Sequence, residues 1–151
     1  RVSQRELHIE GEFKGDMVEK KLEIPSLEWY QTPGLLLKNF VLSKERKVKF
    51  FVVGVKDIKV ITLIAKKVGS EKIAVNGQEI QSTKVELYLP GFLSLFWRGY
   101  CWFDKEGTSV KYEGPSGLPG SKEITMTLLS QKKQEIDHNI KKSNPKIGLD
   151  R

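Results

Sequence analysis

EKIAVNGQEIQSTKVELYL, Glu71 to Leu89, decides the fold class. Asn76-Gly77 at its centre is the strongest short-range hairpin signal, because both residues tolerate the positive φ that a tight two-residue turn demands. On either side apolar and polar side chains alternate, and pairing outward from the turn sets Ile73 against Ile80. Alternation with a period of two marks a half-buried β-strand.

The same period extends in both directions. Upstream, RKVKFFVVG (46–54) and DIKVITLIAKK (57–67) read as a pair of strands joined around Gly54 to Asp57, with EKIAV as a separate strand after them. Downstream, GYCWFDK and TSVKY flank DKEG (104–107), where Gly107 suits a left-handed position closing a type I turn with a bulge. SKEITMTLLS follows, with Ile124, Met126 and Leu128 on one face. Near the start, RELHIEGEFK and MVEKKLEI flank Gly15-Asp16. Pairing about that turn sets Phe13 against Val18, Ile9 against Leu22 and Leu7 against Ile24, with Glu10–Lys21 and His8–Glu23 on the polar face. The expectation is a mainly β protein: an antiparallel meander of about nine strands, curled into a half-barrel or a barrel to bury one face.

One segment departs from this period. In IPSLEWYQTPGLLLKNFVLSKE (24–45), Pro25, Pro33 and Gly34 break any strand. Ser26 can cap a short helical turn through Trp29, and Leu35 to Leu42 reads as a helix of about two turns packed on the sheet. The chain of 151 residues is expected to be one β-rich domain, 1–130, followed by a charged tail, 131–151. Ile136 and Ile140 share a helical face in that tail, which is either solvated or a short docked C-terminal helix.

Composition narrows the function classes. Hydrophobic residues make up 38% and charged residues 30%, as in a folded globular chain. Runs such as FFVVGV and VITLIA are too short for a transmembrane segment. The chain starts at Arg1 without Met, which leaves open whether a leader precedes it. With one cysteine, Cys101, no internal disulfide can form. A net charge of +7 invites nucleic acid, but Lys132, Lys133, Lys141, Lys142 and Lys146 concentrate in the tail and the other lysines are dispersed along strands. Dispersed lysine protects solvated strand edges, and no nucleic-acid partner is expected.

The candidates for chemistry each have a plainer explanation. His8, Glu10, Glu12 and Glu23 could ligate a metal, yet they read as the solvated face of a hairpin, and the other histidine is in the tail. Cys101 alternates with Tyr100 and Trp102 and shares a face with Phe103, as a small buried hydrophobe does. Ser130 and Lys133 match S-x-x-K without the companion motifs of that chemistry. EGPSGLPGS lacks the spacing of a phosphate loop and precedes no helix. No catalytic residue, metal or cofactor is therefore expected, and the chain reads as a non-enzyme.

GFLSLFWRGYCWF, Gly91 to Phe103, is the remaining contest. Its aromatic residues hold one cation, Arg98, whereas a groove that tracks phosphates needs several. Tyr100 and Trp102 alternate with Cys101 and Phe103, so both faces of this strand are apolar. Either the strand is buried on both sides, or one face is core and the other lines a cavity. The cavity reading assigns Leu36, Phe40, Phe92, Phe96, Trp97 and Trp102 to the lining, with Arg98 as a polar handle, and a lipid-like or other hydrophobic molecule as ligand. The alternative is an interaction module that docks an envelope protein through a sheet edge or through Phe92 to Trp97.

The order of these segments resembles a family of secreted bacterial proteins known as a domain of unknown function. The residues that carry the resemblance are Gly69, Glu71, Lys84 to Leu87, Trp102 and Asp104, with Ser70 as a departure between Gly69 and Glu71. It covers roughly residues 33 to 130. The resemblance implies an extracytoplasmic envelope protein, periplasmic or secreted, similar in shape to the LolA/LolB-type half-barrels that carry lipidated cargo. It supplies no active site. Asp104 and Trp102 read physically as a turn-starting residue and a core anchor.

Overall fold

A computed structural model describes residues 5–13, 15–54, 58–117 and 120–129. The tail, with Ser130, Lys133, Ile136 and Ile140, lies outside the described residues. The elements run β1 (Arg5–Phe13), β2 (Asp16–Ile24), β3 (Glu28–Trp29), α1 (Pro33–Leu36), α2 (Lys38–Leu42), β4 (Lys47–Gly54), β5 (Lys59–Val75) and β6 (Gln78–Tyr88). A 3-10 turn (Gly91–Leu95) leads into β7 (Arg98–Phe103), β8 (Ser109–Pro115) and β9 (Glu123–Thr127).

The protein is mainly β, but it is not a closed barrel or a pure meander. β1 and β2 form a two-stranded sheet of their own, and β3-β4-β5-β6-β7-β8-β9 form a seven-stranded sheet with β3 and β9 at its ends. From β4 to β9 every pairing is antiparallel. β3 instead runs parallel to β4, because the chain between them passes through α1 and α2 and returns to the same end of the sheet. Glu28 and Trp29, expected in a helical turn, are this short strand. Gln31 prolongs it: its side-chain amide donates to the Val53 carbonyl at 2.9 Å and accepts from the Val53 amide at 2.8 Å, as a strand backbone would.

The strands expected at DIKVITLIAKK and EKIAV are one strand, β5, interrupted by a bulge between Lys67 and Gly69. One extra residue in a period of two exchanges the faces. Leu63 and Ala65 therefore point into the main core, while Ile73 and Val75 pack with Trp102 on the other side. The Asn76-Gly77 turn forms as expected, with both residues at positive φ and Ile73 opposite Ile80. Its tip reaches across to the end of β9, where Asn76 Nδ2 donates to the carbonyls of Leu128 and Leu129 at 2.9 and 2.6 Å. Leu128 consequently joins Val110 and Trp102, on the opposite side from Met126.

The first hairpin forms with its register displaced by two positions. Leu7 meets Leu22 and Ile9 meets Lys20, because Gly15, at φ +89°, belongs to the turn and Asp16 already pairs with Phe13. A displacement of two leaves each residue on its expected face. His8 then lies opposite Lys21 and contacts Glu19 at 3.2 Å rather than Glu23.

The helical segment over Leu35 to Leu42 breaks at the buried Leu37 into α1 and α2. Leu37, Phe40 and Val41 cover one end of the sheet and pack with Phe50, Val85 and Phe103. Lys67 holds this cover in place: its ammonium donates to the Ser43 carbonyl at 2.7 Å and lies 5.0 Å above the Phe40 ring. At the β7–β8 turn, which packs against α2, Asp104 accepts from the amides of Glu106 and Thr108 at 3.0 and 2.8 Å, and Gly107 takes φ +75°. That is the turn-starting role its side chain is suited to.

Candidate functional site

The helical cover fills only part of the sheet face on which it packs. Beyond Phe40 and Phe50 the face opens into a hollow of about 550 Å³, within the usual range for small-molecule sites. Alternation along neighbouring strands builds its floor. Leu63 from β5, Leu87 from β6 and Cys101 from β7 share a face, stepped diagonally across the three strands. Val52 and Ile61 form one wall, and Trp97 and Tyr112 the other. The rim is backbone-rich, from Gln31 to Gly34 on one side and Pro115 to Gly117 on the other.

Tyr112 is seated in a slot made by two glycines. A β-carbon at Gly99 would come within 2.9 Å of its hydroxyl oxygen, and one at Gly114 within 3.0 Å. The hydroxyl donates to the Pro115 carbonyl at 2.7 Å, and Trp97 Nε1 donates to the Gly117 carbonyl. Both polar ends of the aromatic wall are thus bound to the rim. No buried side-chain nitrogen or oxygen among the described residues lacks a partner. Among the described residues lining the hollow there is no Asp, Glu, Lys, Arg or His. Burial pushes the Cys101 thiol up to about 12, and burial, assisted by Cys101 and Glu123, pushes the Tyr112 phenol up to about 12. Both stay neutral at physiological pH, so the interior suits an uncharged apolar group.

Of the residues assigned to a cavity from sequence, Trp97 stands in this wall. Phe40 lies in the packed core beneath the helical cover. Leu36 is 45% exposed on α1. Phe92 and Phe96 project from the 3-10 turn, and Arg98 pairs with Glu86 at 3.1 Å. Trp102 points to the other face of β7, away from the hollow. The lining residues Val52, Ile61, Leu87 and Tyr112 escaped sequence reasoning. Alternation from Cys101 would have found Tyr112, opposite it on β8, and Leu87, two residues along the same face from its β6 partner Val85.

On the opposite face, residues distant in sequence converge on Trp102. Its Nε1 donates to Glu71 Oε1 at 2.6 Å, and Lys84 pairs with the same oxygen at 3.3 Å. Lys84 and Lys111 lie 4.8 and 5.0 Å from the indole ring. The Trp102 hydrogen bond, then Lys84, holds the Glu71 carboxyl below the ordinary carboxylate range. Cations over an indole face are favourable contacts, and here they close a structural cluster. Among the described residues no group of His, Cys, Asp and Glu could hold a metal ion, and no helix is long and apolar enough to cross a membrane.

No family model, curated protein or solved structure matches this chain.

Proposed function

We propose that this chain is a non-enzymatic binding protein that holds an apolar, lipid-like ligand in the hollow. The observation that carries the reading is the hollow itself: a mainly apolar space between a sheet and a partial helical cover, with the Tyr112 hydroxyl and the Trp97 indole N–H already bonded to the rim. A charged or hydrogen-bonding headgroup would lose its hydration inside without finding partners, so it belongs at the mouth, beside the carbonyls and hydroxyls of 115–117 and 31–34. We propose a location in the cell envelope, outside the cytoplasm, on the resemblance of residues 33 to 130 to secreted bacterial proteins.

A fluorescent fatty acid tests this directly. Trp97→Ala removes half of one wall, at the margin of the core that holds Phe50 and Phe103, and is expected to weaken probe binding by about tenfold, the order of one lost aromatic contact. Unfolding in urea should show a smaller effect on stability. A large stability loss with unchanged probe binding would overturn the assignment.

A further inference from the structure

The β6–β7 connection carries a run of exposed apolar side chains. PGFLSLFW, residues 90–97, contains no charged side chain. Phe92, Leu93, Leu95 and Phe96 are 74, 42, 78 and 65% exposed. The turn is nonetheless well defined: the Phe96 amide donates to the Leu93 carbonyl at 3.0 Å, and the ends are tied down by Trp97 to Gly117 and by Arg98 to Glu86. In a 3-10 turn, positions three apart lie one above the other. Phe92 and Leu95 therefore form one exposed apolar edge, and Leu93 and Phe96 a second. A projection that is apolar on two sides suits a fluid apolar medium, which surrounds it, better than a single protein face, which meets one side.

Its position links it to the hollow. In the antiparallel order, the β4–β5, β6–β7 and β8–β9 connections all lie at one end of the sheet. The residues just inside each of them, Gly54, Leu89, Trp97 and Pro115, line the hollow. The projecting turn thus stands at the mouth. Lys59 and Lys122 are exposed at this end, where Arg98 is paired with Glu86, and the chain carries +7 overall, which favours an anionic leaflet.

We infer that the Gly91–Phe96 turn docks the protein on a lipid bilayer, seating its aromatic side chains in the interface so that the mouth of the hollow faces the acyl chains. This rests on the lipid-binding reading for its purpose but not for its test. The full chain is sedimented with vesicles of phosphatidylcholine alone and with vesicles that also contain phosphatidylglycerol, beside Phe92→Ser/Phe96→Ser. Both side chains are exposed, and circular dichroism checks that the variant folds. The expected result is binding to the anionic vesicles that falls at least about tenfold in the variant, with fatty-acid binding in the absence of vesicles unchanged. No vesicle binding by the wild type, or equal binding by the variant, overturns the inference. So does a wild-type dimer that the variant converts to monomer, which assigns the turn to a second copy of the chain, or an envelope protein that the turn binds while vesicles are ignored. Vesicle binding without any fatty-acid binding would instead overturn the hollow as a lipid site and leave the docking turn standing.

Discussion

Two neighbouring residues of β7 show how much one position can decide. Cys101 and Trp102 face opposite sides of the sheet, the first into the floor of the hollow and the second into a cluster with Glu71, Lys84 and Lys111. Alternation told from sequence that both faces of this strand are apolar; it could not tell which face was filled. That depends on what packs above each, and nothing local to β7 records it. The partners of Trp102 come from β5, β6 and β8, and Glu71 reaches it only because the bulge reverses the phase of β5. A carboxyl whose pKa is lower folded than unfolded stabilises the fold above the unfolded value, and that contribution fades as the pH falls through the folded one. Glu71 is such a group. Glu71→Gln should therefore lose less stability than the wild type between pH 7 and about pH 3, below the ordinary carboxylate range, as read from urea midpoints at the two values. Parallel losses in the two proteins would show that the Trp102–Glu71 bond does not respond to charge.

Single elements were legible where turn chemistry and alternation agreed. Asn76-Gly77 and Asp104 to Gly107 form the turns their residues call for. The bulge in β5 appeared in the sequence as a break in phase at Val68-Gly69-Ser70, which reads equally as a turn between two strands. Only the continuous ladder to β6 distinguishes them. Glu28 and Trp29 were misread because two residues carry no period, and their pairing with β4 is a long-range event. The β7–β8 pair adds a constraint that sequence did not announce. A β-carbon at Gly114 would lie 2.7 Å from the Gly99 Cα, and Gly114 has φ +150°. Backbone cannot move aside as a flexible side-chain end can. Gly114→Ala should cost roughly 2 kcal/mol or more and loosen Tyr112, whereas a change below about 0.5 kcal/mol in chemical denaturation would contradict the packing described.

At the scale of the whole molecule, sheet and cover account for each other. An open sheet of seven strands exposes one apolar face, and α1 and α2 shield the end nearest Phe40. The remainder is the hollow, whose mouth lies at the end carrying the exposed aromatic turn. A covered, mainly β sheet was readable from the strand pattern and the single helical segment. The position of the hollow was not, because it is set by where the cover ends, at Pro33 and Gly34 of α1, and by the glycine slot that lets Tyr112 lie flat against β7. The most direct measurement of the account is native mass spectrometry of the purified chain, followed by organic extraction of whatever it releases. The account predicts a bound apolar or amphiphilic molecule, or a mass shift of one equivalent when a fatty acid is added, that is lost in Trp97→Ala. A clean mass of the chain alone, unmoved by added fatty acid or phospholipid, would contradict it.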